Sequence, residues 1–204
     1  MRIVAANELQ DWLSHGELLE KDSFGPKVVR LADGRLLKIM RSRRTPLLAR
    51  LLPSAQRFSR NAQRLQQAGI ATPVIDECVW IDRDKAVSAC LYHPLPGEPL
   101  DGLFRHDKAR FLALLPQLGA YIHQLHQRGI YFRSLHLGNI LLTGDGDFGL
   151  IDFLDMRFKR APLGKRLVRR NFEHLRSYLQ RRKVDGFPWE ELLAAYARAS
   201  NASN

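Results

Sequence analysis

The sequence predicts an α+β chain, β-rich over its first ninety or so residues and helical beyond about residue 107. Three observations carry this. Two apolar hairpin patterns fall in the first half, at 28–40 and 77–92. A Pro/Gly-rich stretch follows, with Pro94, Pro96, Gly97 and Pro99. Long segments with apolar residues at helical spacing then run to the end. A β-rich part joined to an α-rich part is an α+β arrangement.

In order, residues 5–20 read as a short helix leading into a strand. Val28–Leu31 and Arg35–Met40 flank Ala-Asp33-Gly34, a turn pair that closes a hairpin. Residues 46–68 read as helix, with Leu47, Leu48, Leu51 and Leu52 on one patch and Pro53 dividing the segment. Phe58, Ala62, Leu65 and Ala68 continue at helical spacing, and Gly69 stops the pattern. Ile70–Ile75 is extended; Glu77–Ile81 and Ala86–Tyr92 form a second hairpin. After the Pro/Gly stretch, a helix over about 107–128 places Phe111, Leu114, Leu118, Tyr121, Ile122 and Leu125 on one stripe. A loop precedes two short strands, Ile140–Leu142 and Phe148–Ile151, and helices over 163–182 and 189–199 close the chain.

The chain has 204 residues, 45% of them hydrophobic, enough for one sizeable core or two closely joined ones. The two cysteines, Cys78 and Cys90, sit in apolar strand-like runs and imply buried thiols in a reducing compartment. The N-terminal apolar stretch is broken by Asn7, Glu8 and Asp11, and no uncharged run approaches a membrane span. The expected location is cytoplasmic, with a peripheral place at the inner membrane open. The formal net charge is +11 and the pI near 10.2, a field that attracts polyanions. Its clusters are Lys38, Arg41, Arg43, Arg44 and Arg50, then Arg157 to Arg170, then Arg181 to Lys183.

The chemistry concentrates in Gly129-Ile-Tyr-Phe-Arg133-Ser134-Leu-His136-Leu-Gly138-Asn139-Ile-Leu-Leu142 and Gly149-Leu-Ile-Asp152-Phe153-Leu154. A helix feeds a polar loop, the loop feeds an apolar hairpin, and Asp152 stands where the second strand ends. Asn139 offers a carbonyl oxygen and Asp152 a carboxylate, both hard ligands suited to Mg²⁺. Lys38, on a strand of the first half, could neutralise phosphate alongside the metal, which is most of what phosphoryl transfer requires.

These segments resemble the protein-kinase superfamily, whose catalytic loop H-R-D-x-x-x-x-N is followed by D-F-G. Phe132-Arg133-Ser134 with Asn139 has that spacing, and Asp152-Phe153-Leu154 falls where D-F-G belongs. A literal Asp147-Phe148-Gly149 comes too soon and lies in a turn. Arg35-Leu-Leu-Lys38-Ile-Met looks like the strand of the phosphate-pairing lysine, and Ser23-Phe24-Gly25-Pro26-Lys27 like a glycine-rich loop reduced to one glycine, Gly25. Leu-His136-Leu-Gly138-Asn139 is similar to the loops of aminoglycoside phosphotransferases and bacterial lipopolysaccharide-core kinases. Ala68-Gly-Ile-Ala-Thr-Pro73 and Pro94-Leu-Pro-Gly-Glu-Pro-Leu100 match further stretches of that group, some members of which carry the label "toluene tolerance protein".

The resemblance implies a bilobal kinase-like fold in one domain, 1–204: a small β-rich lobe over about 1–92, a hinge at 93–100 and a helical lobe over 101–204. It implies ATP between the lobes, held by Gly25, Lys38, Asn139 and Asp152, and Mg²⁺ on Asn139 and Asp152. The acceptor it implies is a sugar hydroxyl of an anionic glycolipid such as lipopolysaccharide core. Two departures stand out. Ser134 occupies the catalytic Asp position, leaving His136 or Asp155 as replacement bases. The helix that should supply an acidic partner for Lys38 has Phe58, Ser59 and Arg60 in that region. These departures leave open a pseudokinase scaffold binding nucleotide or a protein partner; the small size and basicity also resemble a small atypical kinase linked to tRNA modification, a group that keeps the catalytic Asp.

Overall fold

The computed structural model describes residues 1–42 and 50–202. Arg43, Arg44, Leu47 and Leu48, assigned above to a basic cluster and a helical patch, lie outside the described residues. The chain divides into two compact units, 1–95 and 96–204.

Among the described residues the first unit is a five-stranded antiparallel sheet with the helix Ala6–His15 packed on one face and the helix Ser54–Gln67 on the other. Helix α1 (Ala6–His15) precedes strands β1 (Glu17–Asp22), β2 (Gly25–Arg30) and β3 (Leu36–Arg41). Helix α2 (Ser54–Gln67) precedes β4 (Val74–Asp82) and β5 (Val87–His93). The strand order is β1-β2-β3-β5-β4. The β2–β3 turn forms as its residues dictate: Gly34 takes φ 83°, and Asp33 Oδ1 accepts the Arg35 amide at 3.0 Å. Alternation along the strands sends Val29, Leu37, Ile39, Val79, Ala89 and Leu91 to one face, where Leu9, Trp12 and Leu13 of α1 pack on them. The other parity, Lys38, Ser88 and Cys90 among them, meets α2, whose buried side chains are Ser54, Ala55, Phe58, Asn61, Ala62 and Leu65. Pro53 sits at the N-cap of α2 and so starts this helix.

The second unit opens with β6 (Glu98–Pro99), α3 (Leu100–His106) and α4 (Lys108–Gln127). Next come β7 (Ile130–Tyr131), a 3₁₀ turn (Leu137–Asn139), β8 (Ile140–Leu142), β9 (Phe148–Leu150) and β10 (Arg157–Phe158). Helices α5 (Lys165–Arg181) and α6 (Trp189–Ala202) follow. The short α3 and the two-residue strands carry too little periodicity to be read from sequence. Helix α4 is capped by Asp107, whose side chain accepts the Arg110 amide, and it buries Phe111, Leu115, Leu118, Ile122 and Leu125. Its Gly119 lets α6 approach closely: a Cβ there would stand 2.6 Å from Ala195 Cβ. His126, on the flank of the helix stripe, is buried. Its Nδ1 meets the Tyr196 hydroxyl at 3.0 Å and its Nε2 meets Asn171 Oδ1 at 3.2 Å, which ties α4, α5 and α6 together.

Candidate functional site

Two strand pairings bring the informative loops side by side. β7 pairs with β10, Tyr131 opposite Arg157. β8 pairs with β9, Ile140 opposite Leu150. The 132–139 loop runs from β7 to β8 and the 151–156 loop from β9 to β10, so each is pinned to the other at both ends. The apolar hairpin strands, fully buried, supply the anchor.

Ser134, Asn139 and Asp155 then meet directly. The Ser134 hydroxyl donates to Asp155 Oδ2 at 2.6 Å, a charge-assisted bond by its length. Asp155 Oδ1 is buried and has no hydrogen-bond partner. Asn139 Nδ2 donates to the Ser134 carbonyl at 3.0 Å, which fixes the amide so that its oxygen is the end available to a cation. The Asn139 carbonyl accepts the Ile151 amide at 3.1 Å, so the residue before Asp152 is hydrogen-bonded to Asn139 itself. Asp152 is exposed and takes φ 52°, a left-handed conformation that an L-residue adopts at a cost and that clusters at functional sites. Beneath it Phe153 is fully buried and anchors the loop. Asp147 lies in the β8–β9 turn, where its carbonyl accepts from the Thr143 amide and hydroxyl.

His136 takes a different place. Its ring stacks on Tyr178 of α5, centroids 4.0 Å apart and planes nearly parallel, and Tyr178 donates to Asp101 Oδ2 at 3.1 Å. Burial lowers the His136 pKa, with Asp101 and Asp152 pulling it back up. His136 Nδ1 is buried without a partner. The ring is thus held in place against α5 by stacking. Tyr178 and Asp101 escape a sequence reading, because nothing in their spacing joins them to the loop; only the stack does.

Lys38 and Gly25 belong to the first unit. Lys38 lies in the middle of β3, opposite Val28 and Cys90, and is 7% exposed. Its ammonium stands 5.3 Å from the centroid of Phe58, one of the α2 residues at the expected place of an acidic partner. α2 contains no Asp or Glu. Gly25 opens β2 with φ 110°, after a two-residue turn of Ser23 and Phe24. Arg41 braces that turn by donating to the Phe24 carbonyl at 3.1 Å.

The donor set suits a hard cation. Among the described residues no three His, Cys, Asp or Glu side chains gather as metal ligands. One amide oxygen and one carboxylate are what Mg²⁺ accepts when water and phosphate oxygens fill its other positions. The orientation of Asn139, locked by Ser134, and the exposed carboxylate of Asp152 fit that role.

The antiparallel sheet and the helical second part define an α+β, kinase-like fold. The second unit carries the family match: residues 100–196 fit the model of the lipopolysaccharide kinase (Kdo/WaaP) family. That stretch runs from the start of α3 into α6 and holds Ser134, His136, Asn139, Asp152 and Asp155. No curated protein matches the chain. Among the described residues no helix is long and apolar enough to cross a membrane.

Proposed function

We propose that the chain is an ATP-dependent phosphotransferase acting on a sugar hydroxyl of an anionic glycolipid, with lipopolysaccharide core as the acceptor class. The observation that carries this is the Ser134–Asp155 hydrogen bond at 2.6 Å. A serine hydroxyl alone is too weak a base, but here it is backed by a carboxylate one bond away. As Ser134 Oγ takes the proton of an acceptor hydroxyl, its own proton passes to Asp155. General-base assistance of this kind is typically worth about 10²–10⁴-fold. Asn139 and Asp152 would hold Mg²⁺, which neutralises phosphate charge when bound. Lys38 is assigned to nucleotide phosphate by resemblance. His136, stacked on Tyr178, positions the loop and is not needed as the base.

The test is transfer of labelled γ-phosphate to dephosphorylated core glycolipid. Transfer by the wild type, reduced at least a hundredfold in Asp155→Ala, supports the assignment. Transfer unchanged in Asp155→Ala overturns the role of that carboxylate.

One observation favours a second reading. Phe58, one of the residues at the expected place of an acidic partner, lies over Lys38, and its aromatic face attracts the ammonium by a cation–π contact. A pseudokinase that binds nucleotide without transfer fits that substitution. Nucleotide binding with no transfer to any hydroxyl acceptor would favour it.

A further inference from the structure

Cys78 and Cys90 are twelve residues apart in sequence and directly opposite each other in space. They face across β4 and β5 in a regular stretch of the ladder, between the pairs Glu77–Leu91 and Val79–Ala89. Their sulfurs stand 3.4 Å apart. Opposed residues of an antiparallel pair have Cα atoms about 4.5–5.5 Å apart, inside the disulfide range of about 4.4–6.8 Å. Closing the bond therefore needs approach of the two sulfurs, without a change of strand register. Both thiols are free.

The surroundings separate the two thiols. Cys90 is fully buried, whereas Cys78 is only part-buried. A hydrogen bond shared with Cys90 holds the Cys78 thiol below its ordinary range against the effect of burial, and Ser59 adds to it. The same contact and deeper burial push Cys90 up. Cys78 is thus the reachable, thiolate-prone partner, and Cys90 stands ready behind it.

We propose that Cys78 and Cys90 are a reversible oxidation site, closed to an intramolecular disulfide by hydrogen peroxide and reopened by thiols. The Cys78 thiolate attacks a peroxide oxygen, the O–O bond breaks, and water leaves with the thiol proton; Cys78 is now a sulfenic acid. The Cys90 sulfur attacks that sulfur, an S–S bond forms, the S–O bond breaks, and a second water carries off the remaining proton. The two sulfurs give up two electrons and the peroxide takes them. A second thiolate reverses the process by exchange through a mixed disulfide.

The site reaches into α2. The Ala55 carbonyl lies 3.4 Å from each sulfur, so two thiol protons are shared among three polar atoms. Oxidation removes both protons, and with them the thiol contacts of the Ala55 carbonyl in the first turn of α2, where the Ala55 amide also donates to Ser88 Oγ at 3.2 Å. Phe58, one turn on, covers Lys38, and Lys38 is itself opposite Cys90 on β3. The state of the thiols thus bears on the ordering of the α2 residues around Lys38. That last link to nucleotide rests on the reading of Lys38 given above; the oxidation chemistry does not.

The experiment treats the reduced full chain with a small excess of hydrogen peroxide, then blocks remaining thiols and maps peptides by mass. The expected result is loss of both thiols in one chain, a linked peptide joining Cys78 to Cys90, and full recovery with dithiothreitol. In Cys90→Ala, and independently in Cys90→Ser, oxidation should stop at Cys78 as sulfenic or sulfinic acid. Amide exchange over residues 55–59 should rise on the order of tenfold in the oxidised chain, the ratio one net hydrogen bond gives. A disulfide between two chains, or wild-type Cys78 reaching sulfinic acid while Cys90 stays a thiol, overturns the proposal. Unchanged exchange at 55–59 in a fully oxidised sample overturns the coupling to α2.

Discussion

At the scale of single residues, the candidate site depends on three side chains that sequence spacing alone treats unequally. Asn139 and Asp152 were legible, because their types and separation match a hairpin that ends in an acid. Asp155 was visible only as one of two replacement bases; its bond to Ser134 exists because β7–β10 closes the loop from the far side, and both strands are two residues long. Ser134→Ala should cost less than Asp155→Ala in phosphotransfer. Removing the serine leaves the carboxylate, whereas removing the aspartate leaves a hydroxyl with no proton acceptor. Equal rates for the two variants would contradict the relay. Asp152 offers a separate test. Its φ of 52° is left-handed, which Asn tolerates and other L-residues resist. Asp152→Asn should melt within a few degrees of wild type, while Asp152→Val should lose about 1–2 kcal/mol in a urea titration. Equal stabilities would mean that the strain is relieved in solution.

At the scale of elements, the main helices and hairpins followed from periodicity, and their ends were set by Asp107, Pro53 and the turn glycines. What periodicity could not supply was pairing in space. His126 falls beside the stripe of α4, yet it is buried, because α5 and α6 bring Asn171 and Tyr196 to its two nitrogens. Cys78 and Cys90 read as separate buried thiols until the β4–β5 register set them face to face. Gly119 carries no signal of its own in the helical pattern; it is the point where the α6 backbone comes too near for a side chain. Gly119→Ala should therefore cost about 1–3 kcal/mol despite the better helix propensity of alanine, read as a lower urea midpoint at constant slope. A stabilised variant would show that α4 and α6 can part without loss.

At the scale of the whole molecule, pH and charge decide behaviour. Burial holds the His126 pKa down to about 4, below the ordinary 6.5, and burial also lowers His136 and His174. The sign follows from proton binding. Between pH 6.5 and 4 the unfolded chain takes up a proton at His126 and the folded one does not, so stability is complete above 6.5 and falls with acidity. The slope from this residue is about 1.4 kcal/mol per pH unit. His126→Gln should flatten it over that window in urea titrations from pH 7 to 4.5; an unchanged slope would place the titration elsewhere. The net charge of +11 bears on the acceptor. The basic run from Lys165 to Lys183 is exposed at Arg166, Arg169, Arg170, Arg176, Arg181 and Arg182. Association with vesicles of anionic lipid should fall steeply between 0.1 and 0.5 M salt, by Debye screening on the order of 10 Å at 0.1 M. Salt-insensitive association would point to apolar contact.

The central claim is that Asn139 and Asp152 hold the metal of a bound nucleotide. The most direct measurement is the melting temperature with and without Mg-ATP, for wild type and Asp152→Asn. At about a hundredfold excess over Kd, binding adds about 2.7 kcal/mol. For a domain of this size that is a rise of roughly 5–10 °C. The account predicts that rise in the wild type, its dependence on Mg²⁺, and its loss in Asp152→Asn. No rise at millimolar Mg-ATP, or the same rise in the variant, would contradict it.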